Sequence, residues 1–126
     1  MADLPNFAKY VFLLHFIAAI ILGLFWFLMP EYWNILTGWP DEVASGRIVG
    51  LATLTMAVGS IMAYRKITWV EVEIYVIMEL VFNILGLIGM LWNMLTLTLP
   101  IVGWILIIIL GFFSVLFLYI FFTVKE

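Results

Sequence analysis

The sequence predicts an all-α integral membrane protein, a four-transmembrane-helix antiparallel bundle forming one domain over residues 1–126, and three observations predict it. Hydrophobic side chains make up 67% of the chain and charged ones only 10%, a balance that a soluble domain of this size has no core large enough to absorb. Four apolar runs are each long enough to cross a hydrocarbon layer about 30 Å thick. Short polar breaks containing Pro, Gly or paired charges separate those runs.

The first span is expected over about 7–29, interrupted only by Lys9 and His15. It is longer than the apolar core of a cleavable leader, and Pro30, Glu31, Tyr32 and Trp33 make a poor small-residue cleavage site, so it reads as a retained helix. Ala19 and Gly23, four residues apart, suit close approach of a neighbour. Pro30 is expected to end this helix, and 30–46 to form the one sizeable polar connection. Within it Trp39, Pro40, Asp41 and Glu42 look like a helix start, with Pro early and acids at the positive end of the dipole. The second helix is therefore expected over 40–65, reaching apolar surroundings near Ile48. Its apolar part is about seventeen residues, the lower limit for spanning. Gly50, Thr53, Ala57 and Ser60 share one of its faces.

Arg65 and Lys66 mark a tight turn into the third helix, expected over 68–96, which makes helices two and three antiparallel neighbours. Pro100 closes the next turn. The fourth helix, 101–124, is Ile, Leu and Phe almost throughout, with Gly111 and Ser114 on one side, as suits a broad lipid-facing surface.

With four spans the two termini and the 65–68 turn share one side. That side holds Lys9, Arg65, Lys66 and Lys125 against Arg47 alone on the other, so the positive-inside tendency makes it cytoplasmic. The expected location is the cytoplasmic membrane of a prokaryotic cell. Trp26, Trp33, Trp39, Trp92 and Trp104 gather at the far interface, and Tyr10, Tyr64 and Trp69 at the near one. Arg47 is expected to reach the outer interface or to pair with Asp41 or Glu42. Glu71 and Glu73 are expected at the inner end of the third helix, partly paired with Arg65 or Lys66.

The third helix carries the most informative polar residues. Glu71, Tyr75, Glu79 and Asn83 follow one another at four-residue steps and so lie on one face, which Gly86 continues. At about 1.5 Å of rise per residue, Glu79 falls roughly 16 Å deep, near mid-bilayer. An ionisable group there is costly against lipid, so this face must point at protein or water. His15 on the first helix lies at a depth comparable with Tyr75, and the first and third helices run parallel in such a bundle. Glu79, Asn83, Tyr75 and His15 are therefore the candidate ligand-binding or proton-linked residues. Two readings of them stand side by side: hydrogen bonds that join helices, or a functional intramembrane site.

Other chemistry is absent from the pattern. No cysteine is present, which excludes disulfides, thiolate metal sites, iron–sulfur clusters and covalent haem, and a single histidine excludes bis-histidine haem ligation within one chain. No catalytic motif, phosphate-binding loop, metal-ligand spacing or inverted repeat is found, so no catalytic residue, metal or cofactor is expected. The net charge of −3 without a basic cluster argues against nucleic acid.

Pro30, the Trp39-Pro40 pair, Arg47 and Gly50 resemble the layout of the DoxX-like group of small four-helix membrane proteins, in which a tryptophan-proline loop leads to an arginine opening the second helix. The resemblance covers most of the chain by helix order. It implies a four-helix bundle and a companion role beside membrane quinone-linked oxidoreductases, and transfers no site residue. The resulting expectation is a non-catalytic accessory or scaffold subunit, with the lipid bilayer, other membrane subunits or further copies of itself as partners. The alternatives are a small transporter or proton-conducting unit using Glu79, and a binder or enzyme for a lipophilic molecule such as a quinone or lipid.

Overall fold

The computed structural model describes residues 3–40 and 43–125, and these form five helices. Four are long: α1 (Asn6–Leu28), α3 (Val43–Tyr64), α4 (Trp69–Thr96) and α5 (Val102–Val124). All four are long and apolar enough to cross a membrane. Large apolar side chains cover their outer faces, with Ile21, Val58, Ile74 and Ile108 each more than half exposed. Water does not tolerate such a surface; lipid or protein must cover it.

The polar connection expected over 30–46 holds an additional helix α2 (Pro30–Thr37). Pro30 does end α1, because a residue before proline is pushed out of the helical region, and Met29 has φ −134° and ψ 49°. The same proline then serves as the first residue of α2, where its missing N–H costs nothing. Gly38 closes α2 in the left-handed conformation, φ 73°, which suits glycine. The Pro-Glu start and the Thr37-Gly38 end are the signals that betray this helix in the sequence. Trp33 packs against Phe25 and Trp26, folding α2 back over the end of α1. Arg47 pairs with Glu31 at 2.9 Å; Asp41 and Glu42, its expected partners, lie outside the described residues. The Glu31 carboxyl is held below the usual carboxylate range, first by its own backbone N–H at the start of α2 and then by Arg47. Pro40, expected inside the second long helix, is non-helical, and α3 is described from Val43.

At the opposite end, Thr68 and Glu71 form a reciprocal capping box that starts α4. Lys66 lies 3.6 Å from Glu71. Leu4 donates its backbone N–H to the Ile67 carbonyl, tying the amino-terminal segment to the 65–68 turn, and Leu4 and Val124 join the same core cluster. Both ends of the described residues, from Leu4 to Val124, and this turn therefore share one end of the bundle, called here the turn end. Trp69 was expected at an interface; it is buried there against Phe121.

The helices pair as two antiparallel hairpins. Contacts step in opposite directions along α1 and α3, from His15 with Ser60 through Gly23 with Leu54 to Phe27 with Gly50. Those of α4 and α5 run likewise from Trp69 with Phe121 to Met94 with Gly103. The second and third long helices are antiparallel as expected, yet each packs mainly on its hairpin partner, α3 on α1 and α4 on α5, and only lightly on the other. The hairpins meet near the turn end, where Phe12, Val72, Val76, Phe117 and Ile120 are buried together. Beyond Asn83 no residue of α4 is buried. The two hairpins therefore close on each other at one end and separate toward the other.

Gly50 shows what holds the first hairpin together. A Cβ there would sit 2.5 Å from the Phe27 backbone nitrogen, a clash that no side-chain rotation relieves. Gly111, by contrast, has nothing within 4 Å of such a Cβ. Alanine in a helix interior gains up to about 1 kcal/mol over glycine, while forcing backbones apart costs about 1–3 kcal/mol. Gly50→Ala is thus expected to lower thermal stability in detergent and Gly111→Ala to leave it unchanged or raised. Equal tolerance at the two positions would refute the close α1–α3 approach.

Candidate functional site

All four residues singled out from the sequence meet at one place. His15 of α1 lies with its Nε2 3.1 Å from Oε2 of Glu79 on α4, which joins the two hairpins. Asn83, one turn further on, donates its Nδ2 to the Glu79 backbone oxygen at 2.7 Å and to Oε2 at 3.0 Å. Tyr75, one turn before Glu79, places its hydroxyl 2.6 Å from Ser60 Oγ of α3. The other His15 ring nitrogen, Nδ1, lies 2.7 Å from the same Ser60 Oγ. The four-residue steps on α4 put Tyr75, Glu79 and Asn83 on one face; the matched depth of His15 on the parallel helix α1 brings it to the middle of that face.

Ser60 is the member that sequence reasoning missed, having assigned it only to a small-residue packing face. The signal was its depth: it precedes the 65–68 turn by about as many residues as Tyr75 follows it. A glycine one position before it makes the approach feasible, because a Cβ on Gly59 would meet the Tyr75 ring at 2.9 Å.

Ser60 has a single hydroxyl proton, and it goes to the Met56 carbonyl at 3.0 Å. In that arrangement Ser60 Oγ accepts from both Tyr75 and His15, with Nδ1 of His15 protonated; in the other His15 tautomer Ser60 donates to Nδ1 instead. With Nδ1 protonated, one further proton in the gap between Nε2 and Glu79 Oε2 leaves the pair with no net charge, the arrangement that burial favours over an unpaired carboxylate. Glu79 and Asn83 are 0% and 2% exposed, and His15 5%. Rings hold the histidine edge-on: Phe113 and Phe117 stand nearly perpendicular to it at 4.7 and 5.5 Å. Glu79 Oε1 is sealed off without a hydrogen-bond partner among the described residues.

Above this cluster the separating hairpins enclose a cavity of about 880 Å³. His15 and Asn83 give its deep end polar groups, while Glu79 lies behind that floor. Its walls are apolar, from residues such as Leu22, Met56, Phe82, Leu106 and Phe113. Gly86 and Gly89 also line it. A Cβ on Gly86 would meet Leu110 of α5 at 3.3 Å, but nothing stands within 4 Å of a Cβ on Gly89. The most exposed lining residues, Val49 on α3 and Met78, Val81 and Leu85 on α4, put the mouth between α3 and α4. A smaller space of about 300 Å³ beneath α2 shares Trp26, Met90 and Leu106 with it.

Among the described residues no three His, Cys, Asp or Glu side chains come together in a way that would hold a metal ion. Comparison with protein-family models, with curated proteins and with solved structures finds no match. The geometry by itself defines an all-helical bundle, four of whose helices are apolar enough to cross a membrane, with one buried polar cluster at the base of an apolar cavity.

Replacing Glu79 separates its contacts from its shape. Glu79→Gln keeps the shape and, with its amide oxygen in the place of Oε2, an acceptor for Asn83 and for a His15 tautomer protonated on Nε2, and is expected to retain the fold. Glu79→Leu leaves Nε2 of His15 unpaired across the hairpin interface, while Asn83 keeps only its bond to the backbone oxygen of position 79, and is expected to lower stability in detergent by roughly 1–2 kcal/mol. Equal unfolding temperatures for wild type and both variants would show that the bridge does not join the hairpins.

Proposed function

We propose that this is an integral membrane protein that binds a lipophilic small molecule in the cavity between its two hairpins, with the His15, Glu79 and Asn83 cluster as the polar base of the site. The cavity carries this reading. Its volume falls within the range of about 300–1,000 Å³ usual for small-molecule sites, and its apolar walls with a few polar groups at one end match their usual chemistry. A mouth between α3 and α4 faces sideways rather than along the helices, so in a bilayer it opens to lipid. The role of accessory subunit, alone or beside quinone-linked enzymes as the DoxX-like layout implies, rests on the apolar outer surface. Lipid covers that surface equally well, and a scaffold has no need of the cavity. Proton conduction is less well supported, because the packed side chains of Phe12, Val72, Val76 and Phe117 fill the turn end below the cluster.

Filling the cavity tests the reading. Gly89 lines the cavity and has nothing within 4 Å of a Cβ, so Gly89→Phe adds bulk at its wall without a clash there, whereas Gly111 is equally open and is not among the lining residues. Protein extracted in mild detergent is expected to carry an apolar small molecule detectable by native mass spectrometry. Gly89→Phe should reduce that occupancy about tenfold, equivalent to about 1.4 kcal/mol, and Gly111→Phe should not. The same complement in all three would refute the site.

We further propose that the turn end is cytoplasmic and α2 external, a reading that the excess of Lys and Arg at the turn end supports. Single cysteines replacing Asn34 and Lys66 are expected to react with an impermeant thiol reagent from opposite sides, and labelling of position 66 in intact cells would reverse the assignment.

A further inference from the structure

The floor of the cavity offers hydrogen-bond acceptors and no free donor, and from this we infer that the bound molecule carries a hydroxyl head group, an alcohol or a phenol, that donates to Asn83. The inference rests on the lipophile-binding reading above and adds the chemistry of the head group. Asn83 spends both of its amide hydrogens on Glu79, one on the backbone oxygen at 2.7 Å and one on Oε2 at 3.0 Å. The amide cannot be turned around, since that would set its oxygen against a backbone carbonyl that is always an acceptor. Its Oδ1 has no partner among the described residues and, unlike Glu79 Oε1, is not sealed off, so it opens on the cavity that Asn83 lines.

The other polar groups of the lining agree. Thr53, seven residues and roughly 10 Å along α3 from Ser60, spends its hydroxyl proton on the Val49 carbonyl at 2.8 Å and presents only lone pairs. His15 has both ring nitrogens engaged, by Ser60 and by Glu79. Backbone N–H groups in the helical walls are used within their own helices. The remaining side-chain donors in the lining, on Trp26 and Asn93, stand about ten residues further along α1 and α4. At 1.5 Å per residue that is roughly 15 Å from the floor, at the other end of a bound tail. A carbonyl head group, such as that of an oxidised quinone or an aldehyde, would meet only acceptors here, and leaving a polar group unpaired in a desolvated site is what discriminates most strongly between otherwise similar ligands.

Three probes of matched length test this on the delipidated protein in detergent: hexadecanol, its methyl ether and hexadecanal, with occupancy read by native mass spectrometry. Hexadecanol is expected to bind about tenfold more tightly than either of the others. Asn83→Leu is expected to remove that preference while leaving the ether bound. The wild-type comparison stands alone should the variant fail to fold. Equal binding of alcohol and ether, or tighter binding of the aldehyde, overturns the hydroxyl inference and leaves the cavity reading intact. Binding of none of the three by wild-type protein overturns both.

Discussion

The contact between His15 and Glu79 is the constraint on which the arrangement depends. Lipid tails are as apolar as leucine, so within a bilayer hydrophobic burial gives two hairpins little reason to associate. Close packing and buried hydrogen bonds must supply it. Each hairpin has its own means: Gly50 and Gly23 let α1 and α3 approach to backbone contact, and Gly103 accepts Met94 between α5 and α4. Between hairpins the polar connections run through one cluster, His15 to Glu79 and Ser60 to Tyr75. Neither bond can be lost without leaving a buried polar group unpaired, which is why a contact of modest net strength specifies one register of one hairpin against the other.

The position of that cluster also explains the shape of the site. Toward the turn end the aromatic rings of Phe12, Tyr75 and Phe117 pack edge-on or stacked and close the interface. Toward α2 nothing comparable faces across, and small residues at Ala52, Gly86 and Gly89 widen the gap. The polar cluster stands where the packed interface ends and the cavity begins. It is the last polar tie between the hairpins, and in the proposed reading it is also the polar end of the binding site, with the histidine nitrogens and Oε2 engaged within the protein and Asn83 Oδ1 left for the ligand.

Small residues illustrate how one pattern serves two ends. On α3 the face of Gly50, Thr53, Ala57 and Ser60 is buried along its length, as its spacing predicts. On α4 the same kind of residue lines empty space at Gly89. A glycine in a sequence reports that bulk is missing there. Whether the space is taken by a neighbouring backbone or left open depends on the direction of the neighbouring helix axis.

By itself the sequence determined the four long apolar helices, the breaks between them, and the face and depth of Tyr75, Glu79, Asn83 and His15. Hydropathy and the 3.6-residue period are properties of single segments, and the depth of a residue follows from counting along its own helix. Glycine and proline signals for α2 were present as well, although Pro30 reads more readily as an end than as a start. Only the tertiary structure decided that α3 pairs chiefly with α1, that Ser60 links His15 to Tyr75, that Trp69 is buried, and that the hairpins diverge around a cavity. Each of these depends on the rotation and tilt of helices relative to one another, which packing at a few contacts sets and which no periodicity within a single helix encodes.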